Sequence, residues 1–184
     1  MNTRIVFSGS GGQGVITAAI ILAEAAVIYA GKNATQTQAY GAAARGGATR
    51  SDIIISESKI NYPGVIQPNI LVTLTQEAYN SFSGIVRPGS LLLSDPRFVQ
   101  TTRKVDAKQL ELPMYERVME KIKRPIVYNI CTLGTLLGIT QILEPETVLQ
   151  VLEQRIPKEF LEINHRAFDL GLVLGSQYQY RSFT

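Results

Sequence analysis

Residues 6–26, VFSGSGGQGVITAAIILAEAA, place a short apolar strand, a glycine-rich turn and a long apolar helix in succession. Gly9, Gly11 and Gly14 have the spacing G-x-G-x-x-G, which in many proteins lies against the pyrophosphate of a dinucleotide. Backbone N–H groups at the start of such a helix face the turn, and the helix dipole favours an anion there. This unit predicts an α/β fold and raises the question of what the turn binds.

The remainder of the chain continues the alternation of strands and helices. Strands are predicted at 4–8, 34–40, 69–75, 91–95 and 125–130, and helices at 15–30, 76–86, 114–122, 131–143, 144–156 and 157–175. TRSDIIISE (49–57) and KINYPG (59–64) predict an antiparallel hairpin. We therefore expect one Rossmann-like α/β domain over 1–184, with a mostly parallel sheet, a β-hairpin addition and a helical C-terminal tail.

Composition limits the classes of protein to which the chain can belong. It has 184 residues, of which 45% are hydrophobic and 18% charged, and its net charge is +3. These values are typical of one globular domain, and the scattered lysines and arginines do not predict nucleic-acid binding. The N-terminus does not resemble a signal peptide, and no apolar run is long enough to span a membrane. We expect a cytoplasmic protein that binds neither nucleic acid nor membrane.

Cysteine usage excludes several kinds of site. Cys131 is the only cysteine, so this chain alone can form neither a disulfide nor a cysteine-ligated zinc or iron–sulfur site. Its apolar surroundings predict a buried, unreactive thiol rather than a nucleophile. We predict no catalytic residue and no metal ligand in this chain.

The glycine turn matches neither of two common nucleotide-binding motifs in full. The predicted second strand, ATQTQAY, has no acidic residue to hold a ribose hydroxyl, as a dinucleotide site requires. Val15 and Ile16 stand where a P-loop has lysine and serine or threonine. Two interpretations stay open, namely a turn that brings the helix close to the sheet and a contact with a ligand or partner. For the second, the candidate residues are Gly9, Gly11, Gly12, Gln13 and Gly14.

A second glycine-rich segment, AYGAAARGG, occupies residues 39–47. The guanidinium of Arg45 can bind a carboxylate or phosphate, and Gly46 and Gly47 allow a large group to approach. In a parallel α/β sheet this segment follows the second strand, at the edge where the first glycine turn lies. We therefore add Tyr40, Gly41, Arg45, Gly46 and Gly47 to the candidate ligand- or partner-binding residues.

Both glycine motifs, in this order, resemble those of the gamma subunit of the 2-oxoacid:ferredoxin oxidoreductases. GSGGQGVITAAIILAEAA, AYGAAARGG and SDIIIS are similar to that family, as are YNICTLGTLLG and the closing IPKEFLEINHRAFDLG. The resemblance covers about residues 4–175, and the same domain occurs within single-chain pyruvate:ferredoxin oxidoreductases. The family usually has an acidic residue two positions before the arginine, where this chain has Ala43.

The resemblance implies a role within an enzyme complex. It implies oxidative decarboxylation of a 2-oxoacid, with the 2-oxoglutarate branch the most similar, to an acyl-coenzyme A, with electrons passed to ferredoxin. It implies thiamine-binding alpha and beta subunits, a possible ferredoxin-like delta subunit, thiamine diphosphate, Mg²⁺ and iron–sulfur clusters. The chain has one cysteine and no G-D-G motif for thiamine diphosphate, so it is expected to be a non-catalytic subunit that helps form the coenzyme A side of the site.

Two other functions stay open from the sequence. The first is a stand-alone Rossmann-type oxidoreductase that binds NAD(P) or FAD, against which the missing ribose-binding acid counts. The second is a homo-oligomeric module that binds acyl-coenzyme A. A homodimer would not identify this module, since an isolated gamma subunit could also dimerise through the surface that its partners normally cover.

Overall fold

The computed structural model describes residues 2–39 and 48–180, and its six strands form one sheet in the order β2-β3-β1-β4-β5-β6. These strands are β1 (Asn2–Gly9), β2 (Asn33–Ala39), β3 (Thr49–Ser56), β4 (Ile70–Thr73), β5 (Ser90–Ser94) and β6 (Ala107–Glu111). β1, β4, β5 and β6 pair in parallel, whereas β3 is antiparallel to both of its neighbours, β1 and β2. The expected α/β class with a mostly parallel sheet is confirmed. We call the edge where the four parallel strands end the carboxyl edge, and the edge where they begin the amino edge.

Helices cover both faces of this sheet. They are α1 (Val15–Glu24), α2 (Gln76–Phe82), α3 (Met114–Lys121), α4 (Tyr128–Thr140), α5 (Pro145–Arg155) and α6 (Lys158–Ser176). A π-helical turn, Ala25–Tyr29, continues α1, and 3-10 turns follow α2 and precede α4. The predicted first helix at 15–30 and the C-terminal helical tail are thus present.

The predicted hairpin over 49–64 is wrong in its second strand. Residues 59–64 form no strand, and β3 pairs instead with β2, which precedes it in the chain. The physical reason is that KINYPG contains Pro63, which lacks an N–H, and no partner edge is free beside β3 because β1 and β2 occupy both sides. An antiparallel addition therefore exists, but it is the β2–β3 pair.

The strand predicted at 125–130 is also wrong. Pro125 begins a 3-10 turn that leads directly into α4 at Tyr128. Proline fits the first turn of a helix, and a short apolar run does not by itself distinguish a buried strand from a buried helix. The last parallel strand is β6, which is not among the strands that the sequence predicted.

The core consists of two layers, one on each face of the sheet. Alternate residues of each central strand face opposite layers, so Ile5 and Phe7 of β1 pack with α1 and the C-terminal helices while Val6 packs toward α2. This alternation follows from the two-residue period of a β-strand. α1 therefore lies firmly on the sheet, and its first residue is fixed at the carboxyl edge beside β1.

Candidate glycine-loop site

The first glycine turn is a loop at the carboxyl edge. It connects Gly9, the last residue of β1, to Val15, the first residue of α1. Gly12 and Gly14 have φ values of +87° and +71°, a region in which side chains other than glycine are strained. Gly14 is the N-cap of α1 and carries no capping side chain, so the first N–H groups of the helix receive no side-chain cap.

Gln13 fastens this loop to the sheet. The backbone N–H of Ser10 donates to Gln13 Oε1 at 2.8 Å, and Gln13 Nε2 donates to the Leu74 carbonyl oxygen at 3.2 Å. A side chain at Gly9 would collide with this amide, because its Cβ would lie 2.5 Å from Gln13 Oε1. Gly9 and Gln13 therefore act in the structure as a pair that sets the shape of the loop.

Asn129 of α4 holds the other end of the loop, and it is not among the residues predicted from the sequence. Its Nδ2 donates to the Gly14 carbonyl oxygen at 3.2 Å, across 115 positions of sequence. A Cβ at Gly14 would meet this amide, with the Asn129 Cγ only 2.6 Å away. The sequence predicts a strand at 125–130, and a strand there would not place Asn129 at the start of α4 beside the loop.

Gly11 and Gly12 form the exposed crest of the loop. A Cβ at either position would have no neighbouring atom within 4 Å. Their backbone is thus open to whatever approaches the carboxyl edge, which is the condition for a ligand or a partner to contact the loop.

Beside this crest lies a groove of about 760 Å³. It is bounded by Gly12 and Gly14, by the 3-10 turn that precedes α4, and by the start of α6. Two apolar side chains protrude along it, with Ile126 81% and Phe160 50% exposed. Apolar side chains exposed this far beside an open backbone are typical of a surface that another molecule covers.

A smaller pocket of about 390 Å³ lies on the other side of Gly12 and is lined in part by Phe98, Tyr115 and Tyr128. These three rings pack against one another, with centroids between 5.1 and 5.9 Å apart. The same group contains Asp95, which directly follows β5 and is fully buried.

Asp95 joins three segments at this edge rather than facing the groove. Its carboxylate accepts hydrogen bonds from the backbone N–H groups of Tyr115 (2.7 Å) and Arg97 (2.9 Å), and from the Tyr128 hydroxyl (3.1 Å). Burial raises the pKa of Asp95 above its ordinary value, and these hydrogen bonds oppose the shift. This carboxyl group is a structural clamp below the smaller pocket.

The second glycine-rich segment lies outside the described residues, so Tyr40, Gly41, Arg45, Gly46 and Gly47 have no described position. The residues on either side of it do. Thr49 pairs with Gly9 across β3 and β1, its carbonyl oxygen accepts from Ser8 Oγ at 3.0 Å, and Ala39 pairs with Arg50. Both flanks of the segment therefore lie at the edge where β1 ends.

Within 2–39 and 48–180, no group of three histidine, cysteine or acidic residues is arranged to hold a metal ion. Cys131 is buried inside α4, where burial raises the pKa of its thiol to about 12. That environment agrees with the predicted unreactive thiol.

None of the helices in the described part of the chain is long and apolar enough to cross a membrane.

The topology also bears on the dinucleotide alternative. In a dinucleotide-binding Rossmann fold the strand that carries the ribose-binding acid lies directly beside the first strand. Here the antiparallel β3 separates β2 from β1, and β2 (NATQTQA) contains no acidic residue. The glycine loop therefore has the local shape of such a site, but the neighbouring strand with the ribose-binding acid is missing.

Comparison with known proteins assigns the chain to a family. The sequence pattern of the pyruvate ferredoxin/flavodoxin oxidoreductase family matches residues 4–174. The chain belongs to this family, which confirms the resemblance stated from its glycine motifs.

Two individual proteins match nearly the whole chain. The chain is 41% identical to 2-oxoglutarate synthase subunit KorC of Methanocaldococcus jannaschii over 173 residues, covering 93% of this chain and 92% of that one. The gamma subunit of a keto/oxoacid ferredoxin oxidoreductase from Geobacter sulfurreducens has the same fold, with a TM-score of 0.88 at 35% identity, and the match covers 96% of this chain and 98% of that one.

The fold also occurs within a longer chain. It matches 31% of the 2-oxoglutarate:ferredoxin oxidoreductase chain from Magnetococcus marinus, whose structure contains 2-oxoglutarate, coenzyme A and succinyl-CoA. That match covers 96% of this chain with a TM-score of 0.85, and its 24% identity supports a shared fold.

Proposed function

We propose that this chain is the gamma-type subunit of a 2-oxoacid:ferredoxin oxidoreductase complex that acts on 2-oxoglutarate. The observation that carries the proposal is the 41% identity to a 2-oxoglutarate synthase subunit along nearly the whole length of both chains. In this proposal the partners are thiamine-binding alpha and beta subunits and a ferredoxin-like delta subunit, and the assembled complex operates in the cytoplasm.

The chain's residues do not fit the cofactors that such a complex uses. Its one cysteine is buried in α4, and its full sequence contains no G-D-G motif for thiamine diphosphate. We therefore place thiamine diphosphate, Mg²⁺ and the iron–sulfur clusters in the partner subunits, and assign this chain a non-catalytic role.

That role is to supply the glycine loop and the neighbouring groove to the coenzyme A side of the shared site. Backbone N–H groups at the start of α1 favour an anionic group of coenzyme A, and the exposed crest at Gly11 and Gly12 allows close approach. Ile126 and Phe160 supply apolar area for the partner subunit or for the pantetheine part of coenzyme A. Arg45, together with Gly46 and Gly47, is proposed from the sequence as the cationic component.

The test is made on the complex purified through a tagged copy of this chain, with 2-oxoglutarate- and coenzyme A-dependent dye reduction as the assay. We expect larger thiamine-binding chains to be recovered with this activity. Phe160→Ser, Ile126→Ser and Arg45→Ala should then either lower recovery of the partners or raise the KM for coenzyme A.

The control is Ile28→Ser, because Ile28 is 57% exposed but does not line the groove. Wild-type recovery and KM in all three test variants would exclude a role for the loop and the groove. Recovery of the chain without partners or 2-oxoacid activity would contradict the proposed complex itself.

A further inference from the structure

The amino edge of the sheet carries a polar pocket that the proposed function does not use. Its volume is about 590 Å³, and residues from β1, from the segment 59–67 and from the turn before β5 line it. Three of the residues that line it are cations, namely Arg4, Lys59 and Arg87, and none is acidic. A pocket of this size is within the range that holds a small molecule.

The main chain of two of these cationic residues is held by hydrogen bonds. The Arg4 N–H donates to Asn69 Oδ1 at 2.9 Å, and the Asn69 N–H donates to the Arg4 carbonyl oxygen at 2.8 Å. Pro68 and Asn69 directly precede β4, and on the other side of these two residues the Arg87 N–H donates to the Pro68 carbonyl oxygen at 3.1 Å. Neighbouring strands are about 4.8 Å apart, so the two backbones lie about 10 Å apart, a span that two arginine side chains can close around one ligand.

The charges of this pocket have no counterpart within the described residues. The four ion pairs there involve other cations, and the charged side-chain groups of Arg4, Lys59 and Arg87 make no hydrogen bond to a described residue. Three like charges around one concave surface repel one another, and an anion between them is attracted to all three and offsets that repulsion. Arginine at two of the three positions suits the planar, bidentate recognition of phosphate.

The outer wall of the pocket is also tied to the sheet. The Val65 N–H donates to Asp52 Oδ2 at 3.0 Å, which ties the segment 59–67 to β3. Gly64 lies against the ring of Tyr62, since a Cβ there would be 2.8 Å from Tyr62 Cε1. Tyr62 is 66% exposed at the pocket and offers an aromatic surface next to the cations.

We infer that this basic pocket binds a phosphate-bearing anion with at least two negative charges. The inference goes beyond the proposed function and concerns the opposite edge of the sheet from the glycine loop. The anion could be a free diphosphate or the diphosphate of a nucleotide, whose base Tyr62 could contact.

The test is isothermal titration of the full chain at low ionic strength with pyrophosphate, with ADP and with 2-oxoglutarate. We expect one molecule of pyrophosphate or ADP to bind per chain at this pocket. The Kd should rise at least about tenfold in Arg87→Gln and in Arg4→Gln, because each variant loses charge-assisted hydrogen bonds to the anion. Tighter binding of ADP than of pyrophosphate would support a nucleotide as the source, and equal binding would support a free diphosphate.

Lys121→Gln is the matched control, since Lys121 is exposed, does not line the pocket and carries the same charge. It should bind pyrophosphate like the wild type, and thermal melting without ligand should show all three variants folded. The inference is overturned if neither pyrophosphate nor ADP binds the wild type at millimolar concentration, or if both arginine variants bind like the wild type. Binding of 2-oxoglutarate as tight as that of pyrophosphate would overturn the assignment to phosphate.

Discussion

Replacing Gly14 by alanine should destabilise the protein through two separate effects. At φ +71° an alanine is strained by about 1–2 kcal/mol. Its Cβ would also lie 2.6 Å from the Asn129 Cγ, about 1 Å inside ordinary carbon–carbon contact, so Asn129 must move away. The hydrogen bond from Asn129 Nδ2 to the Gly14 carbonyl oxygen is then lost, which costs about 1 kcal/mol more.

The two effects together give a loss of about 2–3 kcal/mol in the free energy of unfolding of Gly14→Ala. Urea denaturation of the purified full chain measures it. Gly11→Ala is the matched control in the same loop, because its Cβ meets nothing within 4 Å and its φ is not positive. We expect that control to stay within about 0.5 kcal/mol of the wild type.

A double-mutant cycle separates the two effects. Gly14→Ala and Asn129→Ala remove the same hydrogen bond, so the double variant should lose about 1 kcal/mol less than the sum of the single variants. Additive losses, or a Gly14→Ala variant as stable as Gly11→Ala, would refute the role assigned to Asn129 in holding the loop.

Two further predictions concern the frame around the loop. Gly171→Ala should cost about 1–3 kcal/mol, because its Cβ would press on the Cys131 carbonyl oxygen where α6 crosses α4, whereas Gly84→Ala, with open space around it, should be neutral in the same denaturation assay. The hydrogen bond from Arg155 lowers the pKa of Glu24 below its ordinary 4.5, so the stability it adds is complete above pH 4.5 and disappears as pH falls through the lowered value. Melting curves of Glu24→Gln should therefore show a deficit below about 1 kcal/mol at pH 7 that vanishes in acid, and a deficit that grows in acid would contradict this.

Local sequence patterns were enough to predict the part of the fold on which the site is built. The strand, turn and helix at 6–26 are adjacent in the chain, so their glycine spacing and apolar periodicity determine them without distant contacts. β4 and β5 were found for the same reason, as continuous apolar runs that are buried on both faces.

The errors occur where tertiary contacts decide the structure. The run at 125–130 is apolar except for Asn129 and has neither a helical nor a strand period. Because α4 is buried on nearly all sides, only its packing against α6 identifies it as a helix. Likewise, β3 could pair with residues before or after it in the chain, and its pairing with β2 and β1 leaves no edge for residues 59–64. Asn129 was missed because its contact with Gly14 exists only once α4 is placed.

The two proposed surfaces can be tested independently because the sheet separates them. In β1, Arg4 at the basic pocket and Gly9 at the glycine loop are five positions apart, a separation of about 17 Å along the strand. Substitutions that far apart without shared contacts act additively. Arg87→Gln should therefore weaken pyrophosphate binding and leave partner recovery intact. Phe160→Ser should leave pyrophosphate binding intact and either lower partner recovery or raise the KM for coenzyme A. If Phe160→Ser also weakened pyrophosphate binding about tenfold, the measured anion would lie at the carboxyl edge, and the pocket at the amino edge would lose its support.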